Sequence, residues 1–185
     1  MKIKIVFLLV LSLCLFSCAS TKTSATAEQL RIFQSIIDGE PYIIESDFAF
    51  PQNTNAMMQL QNSGILNPSN RNMSRISLIG NPNQLTITGK EVSSQLPYFG
   101  EVQVPSRVNT NNGIVLQGSV ENYDVKEGKG GSYIINFNAK STNEGFKVTI
   151  QIYPNLRIAM LLNGSKRLPI RYTGKIKLLE NSSNI

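Results

Sequence analysis

Short segments in which apolar and polar residues alternate fill most of the chain after residue 73. The clearest lie at residues 133–139 and 146–152, where every second residue is apolar. A period of two places the apolar side chains on one face of a strand, and about ten such segments at close spacing predict an all-β sandwich or barrel. No long helical pattern separates them, so we expect antiparallel pairing. A closed barrel would also hide its strand edges from other chains.

Turn residues divide this region into individual strands. Asn163-Gly164 is the strongest hairpin signal, because this dipeptide favours a type I′ turn between two strands. A first strand is predicted at residues 42–50. Residues 53–62 predict a weak helix or loop, and the Asn-, Ser- and Pro-rich residues 64–72 predict a loop.

Residues 1–17 have the pattern of an export signal. Lys2 and Lys4 precede an apolar run at residues 5–16, which is too short to span a membrane. An ordinary secretory signal is one interpretation of this pattern.

The end of this run favours a lipoprotein signal instead. Leu15-Phe16-Ser17-Cys18 resembles the lipobox of bacterial lipoproteins, where cleavage precedes the cysteine and its thiol receives a diacylglycerol. Cys14 is a poorer candidate, because the preceding Leu13 is too bulky for the cleavage position. We therefore predict lipidation at Cys18 and a membrane anchor through that lipid.

Small polar residues follow the predicted anchor. Residues 18–25 are rich in Ser, Thr and Ala and predict a flexible tether. No acidic residue follows Cys18 directly, and in related bacteria such residues favour display on the cell surface. We expect a lipid-anchored protein of the cell envelope, on the periplasmic face of the outer membrane.

An amphipathic helix is predicted at residues 26–38. Thr26 and Gln29 match a capping box, and Leu30, Phe33 and Ile37 recur at helical spacing. We expect this helix to pack on a single barrel domain at residues 40–180. The alternative is a helix lying on the membrane, although the segment has one basic residue.

The most distinctive local pattern within the predicted barrel is Leu96-Pro97-Tyr98-Phe99-Gly100. Pro97 restricts the backbone and favours an extended Leu96, and Gly100 permits a left-handed or otherwise tight turn. Two large aromatic rings are held between them. The segment is interpreted either as a plug that closes one end of the sheet or as the lip of a binding pocket.

Common catalytic arrangements are absent from the sequence. The chain has no histidine, and its two cysteines lie in the predicted leader and at the lipidation position. These features exclude Ser-His-Asp and Cys-His machinery and most zinc sites. We expect no enzymatic activity, no metal and no cofactor.

Two pairs of charged residues are weak candidates for an acid–base site or an anion site. Glu45 and Asp47 are two residues apart and would share one face of a strand, which is more typical of solvated carboxylates than of an acid–base pair. Lys166 and Arg167 would either grip an anion or lie at a solvated hairpin tip.

Other charges suggest no definite site. The period of two does not settle whether Arg157 and Arg171 face inward. The net charge of +6 is spread along the chain without interleaved aromatic residues, so nucleic-acid binding is not expected.

Several features together resemble a known family. The lipoprotein start, the segment at residues 96–100, the strand start at Gly113, Tyr123 and the late Tyr172-Thr173-Gly174 are similar, in order, to a family of Bacteroidota lipoproteins called domain of unknown function 4251. The resemblance covers about residues 43–176. It implies a lipocalin-like antiparallel β-barrel of about eight to ten strands with an N-terminal helix, and it implies no established activity, ligand or catalytic residue.

Two functions are compatible with these observations. The one we favour from the sequence is a non-catalytic binding lipoprotein that holds a small apolar or amphipathic ligand inside the barrel. The other is a structural or interaction module whose barrel is filled and whose outside docks on an envelope protein. The interior volume decides between them.

The anchor is directly testable. In the native host, Cys18→Ser is expected to abolish incorporation of labelled palmitate and to release the protein from the membrane fraction, because the acceptor thiol is lost. Cys14→Ser is the matched control and should be labelled as the wild type is. Labelling of the Cys18→Ser variant would show that the predicted acceptor is wrong.

Overall fold

The computed structural model describes residues 25–52, 54, 55, 58, 59, 74–104 and 113–179. Cys18, residues 18–24 of the tether, the loop at 64–72 and most of the segment at 53–62 lie outside these residues. Within them, the helix with defined ends is α1 (Ala27–Ile37), and a short 3-10 helix spans Lys129–Gly131. Residues 55, 58 and 59, in the segment predicted as a weak helix or loop, are also helical. The strands are β1 (Tyr42–Pro51), β2 (Ile76–Ser77), β3 (Gln84–Thr88), β4 (Glu91–Gln95), β5 (Gln117–Ser119), β6 (Glu121–Glu127), β7 (Tyr133–Lys140), β8 (Gly145–Ile152), β9 (Arg157–Gly164) and β10 (Ile170–Leu178). No helix in the described ranges is long and apolar enough to cross a membrane.

The strands form one antiparallel sheet that curves into a nearly closed barrel. Their order is β5-β4-β3-β1-β10-β9-β8-β7-β6, with β2 paired to β1. The two strands at the ends of this order, β5 and β6, are separated in sequence only by Val120. The chain therefore passes directly from one edge of the sheet to the other. This architecture confirms the predicted mainly antiparallel barrel with one helix.

A one-residue β-bulge interrupts β1. Ser46 lies opposite Gly174 of β10 and Phe48 lies opposite Thr173, so Asp47 is the extra residue. Because successive side chains in a strand alternate, one extra residue exchanges the two faces. Before the bulge Tyr42 and Ile44 are buried. After it Ala49 is buried, and Phe48 and Phe50 are only partly covered.

The buried side chains of the barrel form one continuous apolar cluster. Every long strand from β7 to β10 contributes alternate residues to it, as the period of two predicts. Among the described residues, the members with no exposed surface are Ile44, Ala49, Leu85, Ile135, Val148, Ile150, Ile152, Met160 and Tyr172. Such large inward-facing residues fill the interior of a small barrel.

The helix α1 covers one end of the barrel. Phe33 and Ile36 are buried, and the Phe33 ring centroid lies 5.7 Å from that of Tyr133 at the start of β7. The predicted capping box is present: the Gln29 amide donates to Thr26 Oγ1 at 3.2 Å, and the Thr26 amide donates to Gln29 Oε1 at 2.9 Å. The helix therefore starts where the sequence predicted.

The predicted turn at Asn163-Gly164 is wrong. Both residues belong to β9, where Asn163 pairs with Lys147 and Gly164 pairs with Phe146 of β8. A type I′ turn needs positive φ at both central residues, and neither residue has it. The connection to β10 begins at Ser165 instead, because the ladder with β8 holds the chain extended for two more residues.

The bulge in β1 requires a glycine opposite it. A Cβ on Gly174 would meet the carbonyl oxygen of Glu45 and would lie 2.7 Å from Cα of Ser46. Both atoms belong to backbone, which cannot move aside without breaking the ladder. Gly174→Ala should therefore lower the free energy of unfolding by about 1–3 kcal/mol in urea denaturation followed by circular dichroism.

Gly145→Ala is the control for this substitution, since nothing lies within 4 Å of a Cβ added at Gly145. Its effect should stay within about 0.5 kcal/mol. Equal effects of the two substitutions would show that the close approach at the bulge does not limit stability.

Candidate functional site

The segment at residues 96–101, named the plug here, closes the barrel end opposite α1. Leu96 is buried and exchanges backbone hydrogen bonds of 3.0 and 2.7 Å with Ile114. Tyr98 is also buried, and its hydroxyl lies 2.9 Å from the carbonyl oxygens of Glu101 and Leu168. Phe99, between them, is 38% exposed. Leu96 and Tyr98 thus belong to the packed barrel end, and Phe99 faces solvent.

Of the two turn conformations expected at Gly100, the left-handed one is absent, and the residue is needed for space. Its φ is not positive. A Cβ at this position would collide with the hydroxyl of Tyr98. Because Gly100 has no side chain, the Tyr98 ring can fold back against the backbone of residue 100.

A hydrogen bond joins the plug to β10. The Tyr172 hydroxyl donates to the carbonyl oxygen of Pro97 at 2.7 Å. Burial raises the pKa of Tyr98 to about 12 and also raises the pKa of Tyr172, so both phenols keep their protons at neutral pH. The plug and the Tyr172-Thr173-Gly174 sequence, about 75 residues apart in the chain, are one structural unit.

A buried ion pair supports the same end of the barrel. Arg167 Nε lies 2.8 Å from Glu144 Oε2, and the two side chains are 15% and 4% exposed. The other oxygen of Glu144 accepts the Lys166 amide at 2.8 Å, and the Arg167 guanidinium lies 4.7 Å from the Tyr98 ring centroid. Arg167 is therefore engaged by an internal carboxylate, which fits neither the anion grip nor the solvated hairpin tip expected from the sequence.

Glu45 and Asp47 line one open cleft of about 500 Å³ beside the bulge, together with residues of the loop before β3. Each carboxylate has its own basic partner: Lys177 lies 2.7 Å from Glu45, and Arg157 lies 2.7 Å from Asp47. The cleft is thus lined by neutralised carboxylates and side-chain amides, and the two acids do not form a coupled pair.

The outer surface of β1 and β10 carries the most unusual cluster of side chains. The guanidinium of Arg75 lies 3.9 Å from the ring centroid of Phe48, and that of Arg171 lies 5.0 Å from the ring centroid of Phe50. Leu161 of β9 lies opposite Arg171 and is 43% exposed. These five residues are named the Arg–Phe face. Arg171 therefore points outward, which period two alone did not settle.

The Arg–Phe face is positively charged. In the part of the chain that the structure describes, neither Arg75 nor Arg171 has an acidic partner. The sequence adds that no aspartate or glutamate occurs anywhere from Phe48 to Lys90. Asp47, directly before Phe48, is paired with Arg157 at 2.7 Å, so this part of the chain supplies no unpaired carboxylate to neutralise the face.

The alternation of apolar residues in β1 does not predict this face, because a one-residue bulge leaves no mark in that alternation. Tyr42, Ile44, Phe48 and Phe50 all have even numbers, so an unbroken strand would bury all four. The absence of acidic residues around Arg75 was the one signal available.

A family comparison agrees with the fold. The family model described as domain of unknown function (DUF4251) matches residues 24–176. The chain belongs to this family. The match spans α1 and nearly the whole barrel, and it confirms the family resemblance seen in the sequence. No curated protein matches the chain.

A solved structure shares the DUF4251 fold. The crystal structure of a DUF4251 family protein from Bacteroides eggerthii DSM 20697 superposes with a TM-score of 0.57, at 10% sequence identity. The match covers 82% of this chain and 89% of that one. At this identity the likeness establishes the common barrel architecture.

The link between the plug and β10 is testable by removing one hydroxyl. Tyr172→Phe keeps the ring but leaves the partly buried Pro97 carbonyl without its donor, which should lower the free energy of unfolding by about 1–2 kcal/mol. Urea denaturation measures the loss. Tyr153→Phe removes a hydroxyl from a ring that is 36% exposed and serves as the control. Unchanged stability of Tyr172→Phe would show that this bond does not hold the plug.

Proposed function

We propose that this DUF4251 protein is a non-catalytic lipoprotein of the cell envelope that docks on an envelope protein through the outside of its barrel. Its anchor is the lipid on Cys18. The observation that carries the proposal is the placement of side chains: the described inward-facing residues pack together, and two phenylalanines and two arginines lie outside.

The packed interior favours docking over a ligand held inside the barrel. A site for a small molecule typically needs a cavity of about 300 Å³ or more. The inward positions of the strands are instead occupied by large residues, including Tyr42, Phe137 and Tyr172, that are at most 1% exposed. The small-ligand hypothesis from the sequence is the competing outcome of the experiment below.

The composition supports a role without catalysis. The chain has no histidine, and the candidate carboxylates Glu45, Asp47 and Glu144 each have a basic partner within 2.8 Å. Carboxylates engaged in ion pairs are suited to holding structure, whereas a general acid or base needs access to a substrate proton.

Site-specific photo-crosslinking in the native envelope tests the proposal. A photoreactive phenylalanine analogue at Leu161, on the Arg–Phe face, is expected to form a discrete adduct with a second protein. The same analogue at Tyr153, which is 36% exposed and follows β8 at the helix-covered end, is the control. Irradiation of the protein with the analogue at Tyr153 should leave the protein monomeric.

Two results would overturn this proposal. One is recovery of monomer alone from both positions under conditions that capture known envelope complexes. The other is native mass spectrometry of the gently purified protein that finds a discrete small molecule, lost on denaturation. The second result would restore the hypothesis of a ligand inside the barrel.

A further inference from the structure

We infer that the Arg–Phe face is a docking site for an extended, acidic segment of a protein partner. The inference rests on the proposed function, because it assigns the partner's chemistry to the outer surface already described. It starts from the bulge at Asp47. That residue turns Phe48 and Phe50 out of the core, where aromatic rings of this size ordinarily lie. Bulges that re-aim side chains in this way are over-represented beside functional sites.

The two arginines are oriented before any partner arrives. Each guanidinium lies over a phenylalanine ring, at 3.9 Å for Arg75 and 5.0 Å for Arg171. Stacking on a ring restricts the guanidinium plane while leaving its N–H groups free to bind a carboxylate in bidentate fashion. Since neither arginine has an acidic partner among the described residues, the charge is available for binding.

The two phenylalanine rings that support the arginines are spaced like side chains of an extended chain. Phe48 and Phe50 are two residues apart on one face of β1, so their rings are about 7 Å apart along the strand. An extended peptide with an acidic residue at every second position presents its carboxylates at the same interval of about 7 Å. One such segment lying along β1 would meet both guanidinium groups at once.

The neighbouring strands favour a protein segment over an anionic membrane. The cross-strand row that contains Phe50, Arg171 and Leu161 continues through Thr149 and Asn136 to Asp124. Along this row the charge of the Arg–Phe face gives way to the neutral residues Leu161, Thr149 and Asn136, and Asp124 at its end is paired with Lys126 at 2.8 Å. The unpaired positive charge is therefore narrow along this row. A single acidic strand covers it, whereas a broad anionic membrane would rest mainly on neutral residues of the row.

A peptide titration tests the inference. The probe is a short synthetic peptide that alternates glutamate and serine, added to the mature chain beginning at residue 18 and carrying Cys18→Ser. Nitrogen-15 NMR should show the largest shifts on β1 and β10. Arg75→Gln and Arg171→Gln should each weaken binding about tenfold, because each removes one charge-assisted contact. Phe50→Leu keeps the charge and should weaken binding by a smaller factor, because Arg171 loses its support.

Lys129→Gln is the matched control. It removes the same charge in the 3-10 helix, away from the face, and should leave the affinity unchanged. An equal loss in Lys129→Gln would overturn the inference, since net charge alone would then explain binding. Retained binding by the two arginine variants would overturn it as well, as would binding to phosphatidylglycerol vesicles without binding to the peptide.

The two proposals fail separately. Peptide binding at this face without an envelope crosslink from Leu161 would support the assigned chemistry and count against the proposed function. A crosslink from Leu161 without peptide binding would support docking there and overturn the acidic segment as the partner.

Discussion

The contact between the β1 bulge and Gly174 is the constraint on which the rest of the barrel depends. The backbone of Glu45 and Ser46 approaches β10 so closely that only a residue without a side chain fits opposite. The extra residue, Asp47, reaches Arg157 on β9, and its carbonyl oxygen accepts the Leu78 amide at 2.9 Å. One local irregularity thus ties β1 both to β9, two strands away in the same sheet, and to the segment that follows β2.

The same irregularity divides β1 into two halves whose large side chains face opposite sides of the sheet. The first half sends Tyr42 and Ile44 into the core, where they help to fill the interior. The second half sends Phe48 and Phe50 outward, where Arg75 and Arg171 cover them. A regular strand would have turned all four large side chains into the core. The barrel gives up some interior apolar area and gains a cationic outer surface.

The segment at residues 96–100 and the sequence Tyr172-Thr173-Gly174 contact each other at one end of the barrel. Pro97 and Tyr172 are joined by a hydrogen bond of 2.7 Å, and Gly174 follows two residues later to receive the bulge. The two sequence features are therefore parts of one packed and hydrogen-bonded unit. Glu144 and Arg167 add a buried ion pair beside them, and the surrounding hydrogen bonds offset the cost of removing these charges from water.

The sequence by itself determined the strand content, the capped helix and the absence of histidine chemistry, because period two, a capping box and composition are local properties. It also placed the chain in its family through motifs that keep their order. Only the tertiary structure decided which way Arg171, Phe48 and Phe50 face, since a one-residue bulge reverses every side chain beyond it. Tertiary pairing also kept Asn163-Gly164 in an extended strand against its turn preference, because the ladder to β8 satisfies more backbone groups than an early turn would.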